Sequence, residues 1–162
     1  MARGGSTIRV IEAAAALGLS IDVQRFPAGT KTAADAARAI GCPVAAIVKS
    51  LVFTVDRMPV VALVPGDRRL DLQRLAKLAG GKEVRRAGLE EARAATGFVA
   101  GGTPPFGYPA PLPLFADLGL RRHDPVWAAA GTPDSVFSIQ IAALDESVHP
   151  TWGDISSDAE TR

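Results

Sequence analysis

Apolar residues recur at helical spacing near the amino end of the chain. Ile8, Ile11, Ala15 and Leu19 predict a helix over Thr7–Leu17, with Ser6 or Thr7 as its cap and Gly18 as its stop. The period then drops to two, and Ile21–Phe26 reads as a short strand. Thr32-Ala33-Ala34-Asp35 has the form of a capping box, with Asp where Glu is usual, and opens an Ala-rich helix that Gly41 ends. Cys42-Pro43 starts a short helical turn, where the missing proline N–H costs little.

Ile47–Val55 is the strongest strand pattern in the chain. Asp56-Arg57-Met58-Pro59 reads as a hairpin connection, and Val60–Val64 returns as a second, almost uniformly apolar strand. Pro65-Gly66-Asp67 supplies turn chemistry. Asp71 caps a helix through Leu78, closed by Gly80-Gly81, and Glu90–Ala95 forms another short helix. A loop from Ala100 to Pro113 holds three Gly and five Pro. Leu114–Ala116, Val126–Ala129 and Ser135–Ile141 are strands, with a turn at Gly131–Asp134 and a short helix around Ala142–Glu146. Strands that arrive as hairpins as well as strand–helix–strand steps predict an α/β (mixed α+β) single domain. Its sheet is mixed and largely antiparallel, with helices at the periphery. The domain spans 1–155, and 156–162 is a polar C-terminal tail expected to fray.

Length and composition narrow the class. A chain of 162 residues fits one domain, and 48% hydrophobic with 22% charged residues excludes wholesale disorder. No run approaches the ~18 apolar residues of a membrane span, and Met1–Ser6 shows no apolar leader. Cys42 is the single cysteine, so no internal disulfide can form, and His123 and His149 stand far apart. No metal and no cofactor are expected, and a reducing cytoplasm is the expected location.

A net charge of +1 does not by itself announce a nucleic-acid binder. Its distribution says more. Arg68–Arg93 contains eight basic and four acidic residues, whereas Asp145 to the end holds five acidic residues and one Arg. A basic band of this kind steers a polyanion, although a solvated helix face would look the same. Fourteen of the 18 basic residues are Arg, so each Lys stands out.

Lys49 lies inside the strongest strand, where alternation puts it with Ile47, Leu51 and Phe53 on an apolar face. An ammonium there must find a partner, reach a rim or line a wet pocket. Gly101-Gly102-Thr103-Pro104-Pro105-Phe106-Gly107 is a second candidate. Its glycines allow close backbone approach to a ligand and its prolines stiffen the loop. No Gly-Lys-Ser/Thr follows, so it is not a phosphate-binding Walker loop. Gly131-Thr132-Pro133-Asp134 can place a hydroxyl and a carboxylate at a rim, or be a plain turn. Adjacent His123 and Asp124 point apart in a strand, and Cys42 has no visible base.

In order along the chain, these segments resemble the YbaK/prolyl-tRNA-synthetase-associated family, of the free-standing ProX type. The resemblance runs from about Val10 to Ile155. It rests on Thr32–Ala37, Ile47–Phe53, Val64–Leu72, Thr96–Phe98 with Gly101–Gly107, and Gly131–Pro133. It implies a mixed sheet curled around a pocket with helices outside, and a trans-acting aminoacyl-tRNA deacylase. Such an enzyme hydrolyses the ester of a mischarged small amino acid, Ala, Cys or Ser, with tRNA-Pro as the expected tRNA. A second, hydrolytic sieve is needed because binding alone discriminates poorly between small side chains. Lys49 matches the family's pocket lysine, and the backbone of Gly101 and Gly102 would cradle the reacting group. Phe26, Ser50, Thr103, Pro104, Pro105, Gly131, Thr132 and Pro133 match the substrate-binding wall. Phe26 stands where YbaK-like members carry Tyr, and Ala128–Ala130 lacks the His of alanine-editing relatives. From the basic band, Arg68, Arg69 and Arg74 are expected at the acceptor-stem phosphates of mischarged tRNA. Prolyl-tRNA synthetase is a further expected partner, and no membrane is. The competing class is a non-catalytic module that binds tRNA 3′ ends, nucleotides or a synthetase.

Overall fold

The computed structural model describes residues 2–26 and 32–158. Helix α1 covers Ala2–Ala16, starting earlier than its apolar spacing predicts, and β1 is confined to Gln24–Arg25. Helix α2, Ala33–Ile40, is capped as its sequence predicts. Thr32 Oγ1 accepts from the Asp35 N–H at 3.0 Å, and Gly41 ends it in the left-handed region. A 3₁₀ turn over Val44–Ala46 follows Pro43.

Strands β2 (Val48–Val55) and β3 (Met58–Pro65) pair antiparallel over their full lengths. The turn between them is only Asp56-Arg57, both at positive φ, as a two-residue hairpin requires. No glycine relieves it. Instead the Asp56 carboxylate accepts the N–H groups of Lys82 and Glu83 and ties the turn to the segment just before the strand that starts at Val84. Short β4 (Arg68–Leu70) leads into α3 (Leu72–Ala79), which Asp71 caps through the Arg74 N–H. Then come β5 (Val84–Arg86), α4 (Leu89–Thr96), β6 (Leu114–Asp117), β7 (Val126–Ala129), β8 (Ser135–Ile139), α5 (Ile141–Val148), β9 (Thr151–Gly153) and β10 (Ser156–Asp158).

A five-stranded sheet runs β5-β2-β3-β6-β9, with β3-β6 and β6-β9 parallel and the other pairs antiparallel. A three-stranded antiparallel sheet runs β1-β8-β7. The mixed, mainly antiparallel architecture is the one its strand patterns predict.

β3 reads as a continuous apolar run because both its faces are buried. Val61 and Leu63 join Val10, Ala14, Phe98 and Phe137 in one core, while Val60, Ala62 and Val64 meet Leu75, Phe115 and Ile155 in another. Ser156–Asp158, expected at the start of a frayed tail, instead pairs with β4, and Ser156 is fully buried. Polar composition hid this strand, because its partner is a three-residue segment with no alternation of its own. Residues 159–162 of the expected tail lie outside the described residues. No helix of the described residues is long and apolar enough to cross a membrane.

Candidate active site

The site forms where strand β2 loses a neighbour. β5 pairs only with Phe53–Val55, and a single parallel bridge joins Ile47 to Trp127 of β7 at the other end. Between them the outer edge of β2 meets no strand among the described residues. A cavity of about 260 Å³ opens there. Ala33 and Ala36 of α2, Trp127 and Ala129 of β7 and Val136 of β8 give it apolar walls. Gly101, Thr103 and Pro133 close one side, and exposed Arg86 stands on β5.

Lys49 and Ser50 both line this cavity although their side chains leave opposite faces of the strand. The cavity wraps around the bare edge and so meets both. The Val52 carbonyl accepts from Ala87 N–H on the side away from β3, and by strand alternation the Ser50 backbone groups face that same open side. Lys49 is partly buried and its ammonium donates to the Arg68 carbonyl. Burial lowers its proton affinity most, Arg86 and Arg69 lower it further by repulsion, and Asp67 opposes them. The Ser50 hydroxyl is buried with no hydrogen-bond partner. A buried hydroxyl left so costs about 1–3 kcal/mol. Ser50→Ala should therefore leave thermal stability equal or higher while slowing turnover. A clear fall in melting temperature would show that the hydroxyl supports the fold instead.

The Gly/Pro loop and the Gly131–Asp134 turn are fastened to each other. Gly102 N–H donates to the Val99 carbonyl, and the Gly102 carbonyl accepts from Gly131 N–H at 2.9 Å. Both Gly102 backbone groups are thus engaged inside the wall, and Gly101 is the glycine of the pair that lines the cavity. A Cβ on Gly102 would sit 2.8 Å from the Gly131 carbonyl oxygen. Gly131, at φ +100°, lies against the backbone of Ser6 in α1, where a Cβ would meet the Ser6 carbonyl oxygen at 2.7 Å. Gly102→Ala should accordingly destabilise the chain by about 1–3 kcal/mol through overpacking against backbone. Thermal denaturation checks it, and an unchanged midpoint would mean the wall yields easily. Thr103 and Pro104 are buried within the loop, and Pro105 lines a separate apolar depression with Phe106 and Tyr108. Thr132 Oγ1 lies 2.7 Å from Asp134 Oδ1 and 2.6 Å from Ser135 Oγ, so its hydroxyl braces the turn from within.

Phe26 is held by its backbone, donating to the Asp134 carbonyl at 2.8 Å, and is not among the residues lining the cavity. Arg68 and Arg74 have partners within the chain. Arg68 Nε and Nη2 donate to the Ser156 hydroxyl and carbonyl, at 2.8 and 3.0 Å. Arg74 donates to the Ser156 carbonyl at 2.6 Å and pairs with Asp154 at 3.1 Å. Both guanidinium groups are engaged with the C-terminal segment. Arg69 is exposed and close enough to act on Lys49. Arg86 was visible in the sequence only as part of the basic band, because the three-residue strand that carries it has no apolar alternation. The Arg86 guanidinium lies 5.7 Å from the Phe53 ring centre, which braces it at the cavity wall.

Comparison with known proteins gives this geometry a family. A model of the aminoacyl-tRNA editing domain matches residues 27–146. The chain belongs to that family. The editing-domain match takes in β2, the Gly/Pro loop and the Gly131–Asp134 turn, the parts that enclose the cavity. A solved structure assigned as a trans-editing enzyme for prolyl tRNA synthetase superimposes with a TM-score of 0.89 at 40% identity, covering 94% of this chain and 97% of that one. EbsC of Enterococcus faecalis, assigned as a Cys-tRNA(Pro)/Cys-tRNA(Cys) deacylase, is 33% identical over 101 residues, 62% of each protein. The proline–tRNA ligase of Maridesulfovibrio salexigens is 39% identical over 107 residues. That is 66% of this chain and 18% of the ligase. The chain thus spans less than two thirds of these two curated relatives.

Proposed function

We propose that this chain is a trans-acting aminoacyl-tRNA deacylase. Its substrate is the ester of a small mischarged amino acid, of the Ala, Cys or Ser class, on tRNA, with tRNA-Pro as the tRNA. The observation that carries the proposal is Lys49, a partly buried ammonium in a cavity of about 260 Å³ whose far walls are apolar. A space near the lower bound of ~300–1,000 Å³ for ligand sites suits a small aminoacyl group and not a large one.

In the bound state the amino-acid side chain lies toward Ala33, Ala36 and Trp127, and the ester carbonyl toward Lys49 and Gly101. Water attacks the carbonyl carbon. The C–O bond to water forms, negative charge gathers on the carbonyl oxygen, and the Lys49 ammonium faces that charge. The C–O bond to the ribose then breaks, the ribose oxygen takes the proton that the attacking water gives up, and the free amino acid leaves. An ester is activated enough for orientation and fixed charge to suffice. The Ser50 hydroxyl, unpartnered without substrate, gains a polar group of the bound aminoacyl-adenosine. Arg86 and Arg69 are proposed to meet phosphates near the tRNA 3′ end, while Arg68 and Arg74 add to the field there.

The charge on Lys49 sets the pH dependence. Its proton affinity lies below the ordinary lysine range. The ammonium is intact below that lowered value, so turnover falls as pH rises through it. Arg86→Gln removes a repelling cation and should move the alkaline limb of kcat, measured on a minimal aminoacyl-adenosine ester, to higher pH. A limb that stays in place would disconnect Arg86 from Lys49.

A non-hydrolysable aminoacyl-adenosine amide tests the site without requiring turnover. It should compete with charged tRNA and change the fluorescence of Trp127. Failure to bind, or binding that Lys49→Ala does not weaken, would reject this cavity as the aminoacyl site.

A further inference from the structure

The ammonium of Lys49 is held by a carbonyl that depends on the end of the chain. Its acceptor is the Arg68 oxygen, in β4. Among the described residues β4 has one strand partner, β10, through Leu70↔Ser156, Arg69↔Ser157 and Arg68↔Asp158. The Arg68 side chain folds back onto the same partner. Nε donates to Ser156 Oγ at 2.8 Å and Nη2 to the Ser156 carbonyl at 3.0 Å. Arg74 adds a second bond to that carbonyl, and the Asp71 N–H donates to the Ile155 carbonyl at 2.8 Å. Ser156 and Ile155 have no exposed surface.

We propose that Arg68 is a positioning residue. Anchored at Ser156 by the C-terminal strand, it fixes the carbonyl that aims Lys49 into the cavity. This rests on the assignment of Lys49 as the cation that faces the ester.

A lysine head sits on a flexible four-carbon stem, so without a fixed acceptor it samples several rotamers. Preorganisation requires that its direction be set before substrate arrives. A three-residue strand with one partner cannot do that through its ladder alone. The guanidinium fork grips the side chain and the carbonyl of one residue, which fixes both the height and the rotation of β4. The same contacts commit Nε and Nη2 of Arg68 to Ser156 and away from a phosphate.

The test uses the full chain with Arg68→Ala, Arg68→Lys and Ser156→Ala. Deacylation is measured on charged tRNA and on a minimal aminoacyl-adenosine ester. In parallel, the side-chain resonances of the four lysines are titrated by NMR. Arg68→Ala should lower kcat by about 10- to 100-fold on both substrates, the scale of a small misplacement of a working group, with KM little changed. Arg68→Lys keeps one donor and should recover part of the loss. Ser156→Ala should show a smaller change of the same kind. Lys49, which also feels Arg86, Arg69 and Asp67, should release its proton at lower pH in Arg68→Ala, because a protonated head that loses its acceptor is less favoured.

Unchanged turnover of the minimal ester, with raised KM and a flatter salt dependence on tRNA, would make Arg68 a phosphate contact and overturn the proposal. Should the wild-type chain hydrolyse neither substrate, the titration still decides. A Lys49 transition that does not move in Arg68→Ala overturns the latch, and one that moves supports it independently of the reaction. If Arg68→Ala does not fold, Ser156→Ala carries the same two readouts, with the same directions expected and a null result overturning the proposal.

Discussion

Lys49→Ala should reduce kcat for deacylation by about 10²–10³-fold, the usual loss when one preorganised electrostatic contact is removed from a developing oxyanion. The fold should survive, because Lys49 makes no ladder contact through its side chain and its neighbours Val48 and Val52 stay in the core. Lys49→Arg should fail nearly as badly. A planar fork is wider than an ammonium and would aim its donors past the Arg68 carbonyl. The measurement is single-turnover hydrolysis with enzyme in excess, which isolates chemistry from product release. Turnover of either variant within a few-fold of wild type would remove Lys49 from the mechanism.

Filling the cavity should do almost as much damage without touching a charged group. Ala129 lines the wall opposite the bare edge of β2 and is partly exposed to the empty space. Leucine there adds three carbons where the substrate side chain belongs. A single methylene of misfit in an apolar pocket is worth about 10–200-fold, so Ala129→Leu should lower kcat/KM for an alanyl or cysteinyl ester by at least the lower of these factors. Its stability should hold, since the new side chain enters open volume. Unchanged kcat/KM would mean that the substrate side chain lies elsewhere.

The fold was legible where local chemistry is strong and illegible where strands are short. The cap at Thr32, the cap at Asp71 and the long pair β2–β3 follow from residue types that satisfy orphan helix donors or fill two apolar faces. β4, β5 and β10 have three residues each and no alternation, so only long-range pairing defines them. That blind spot fell on the site. Arg86 rides on β5, and the acceptor of Lys49 rides on β4. The scarcity of lysine singled out Lys49, and the glycines singled out the loop. No sequence signal could say that Gly102 is spent inside the wall and Gly101 at the cavity. Nor could charge alone separate arginines turned toward Ser156 from the one braced on Phe53.

Hydrolysis itself is the most direct test of the whole account. The wild-type chain, in excess over tRNA-Pro charged in turn with alanine, cysteine, serine, proline and phenylalanine, should release at least one of the three small residues rapidly. Phenylalanine should stay attached, and Lys49→Ala should release none of them. If all five esters survive while uncharged and charged tRNA still bind, the chain is a binding module for tRNA ends and the deacylase account is contradicted.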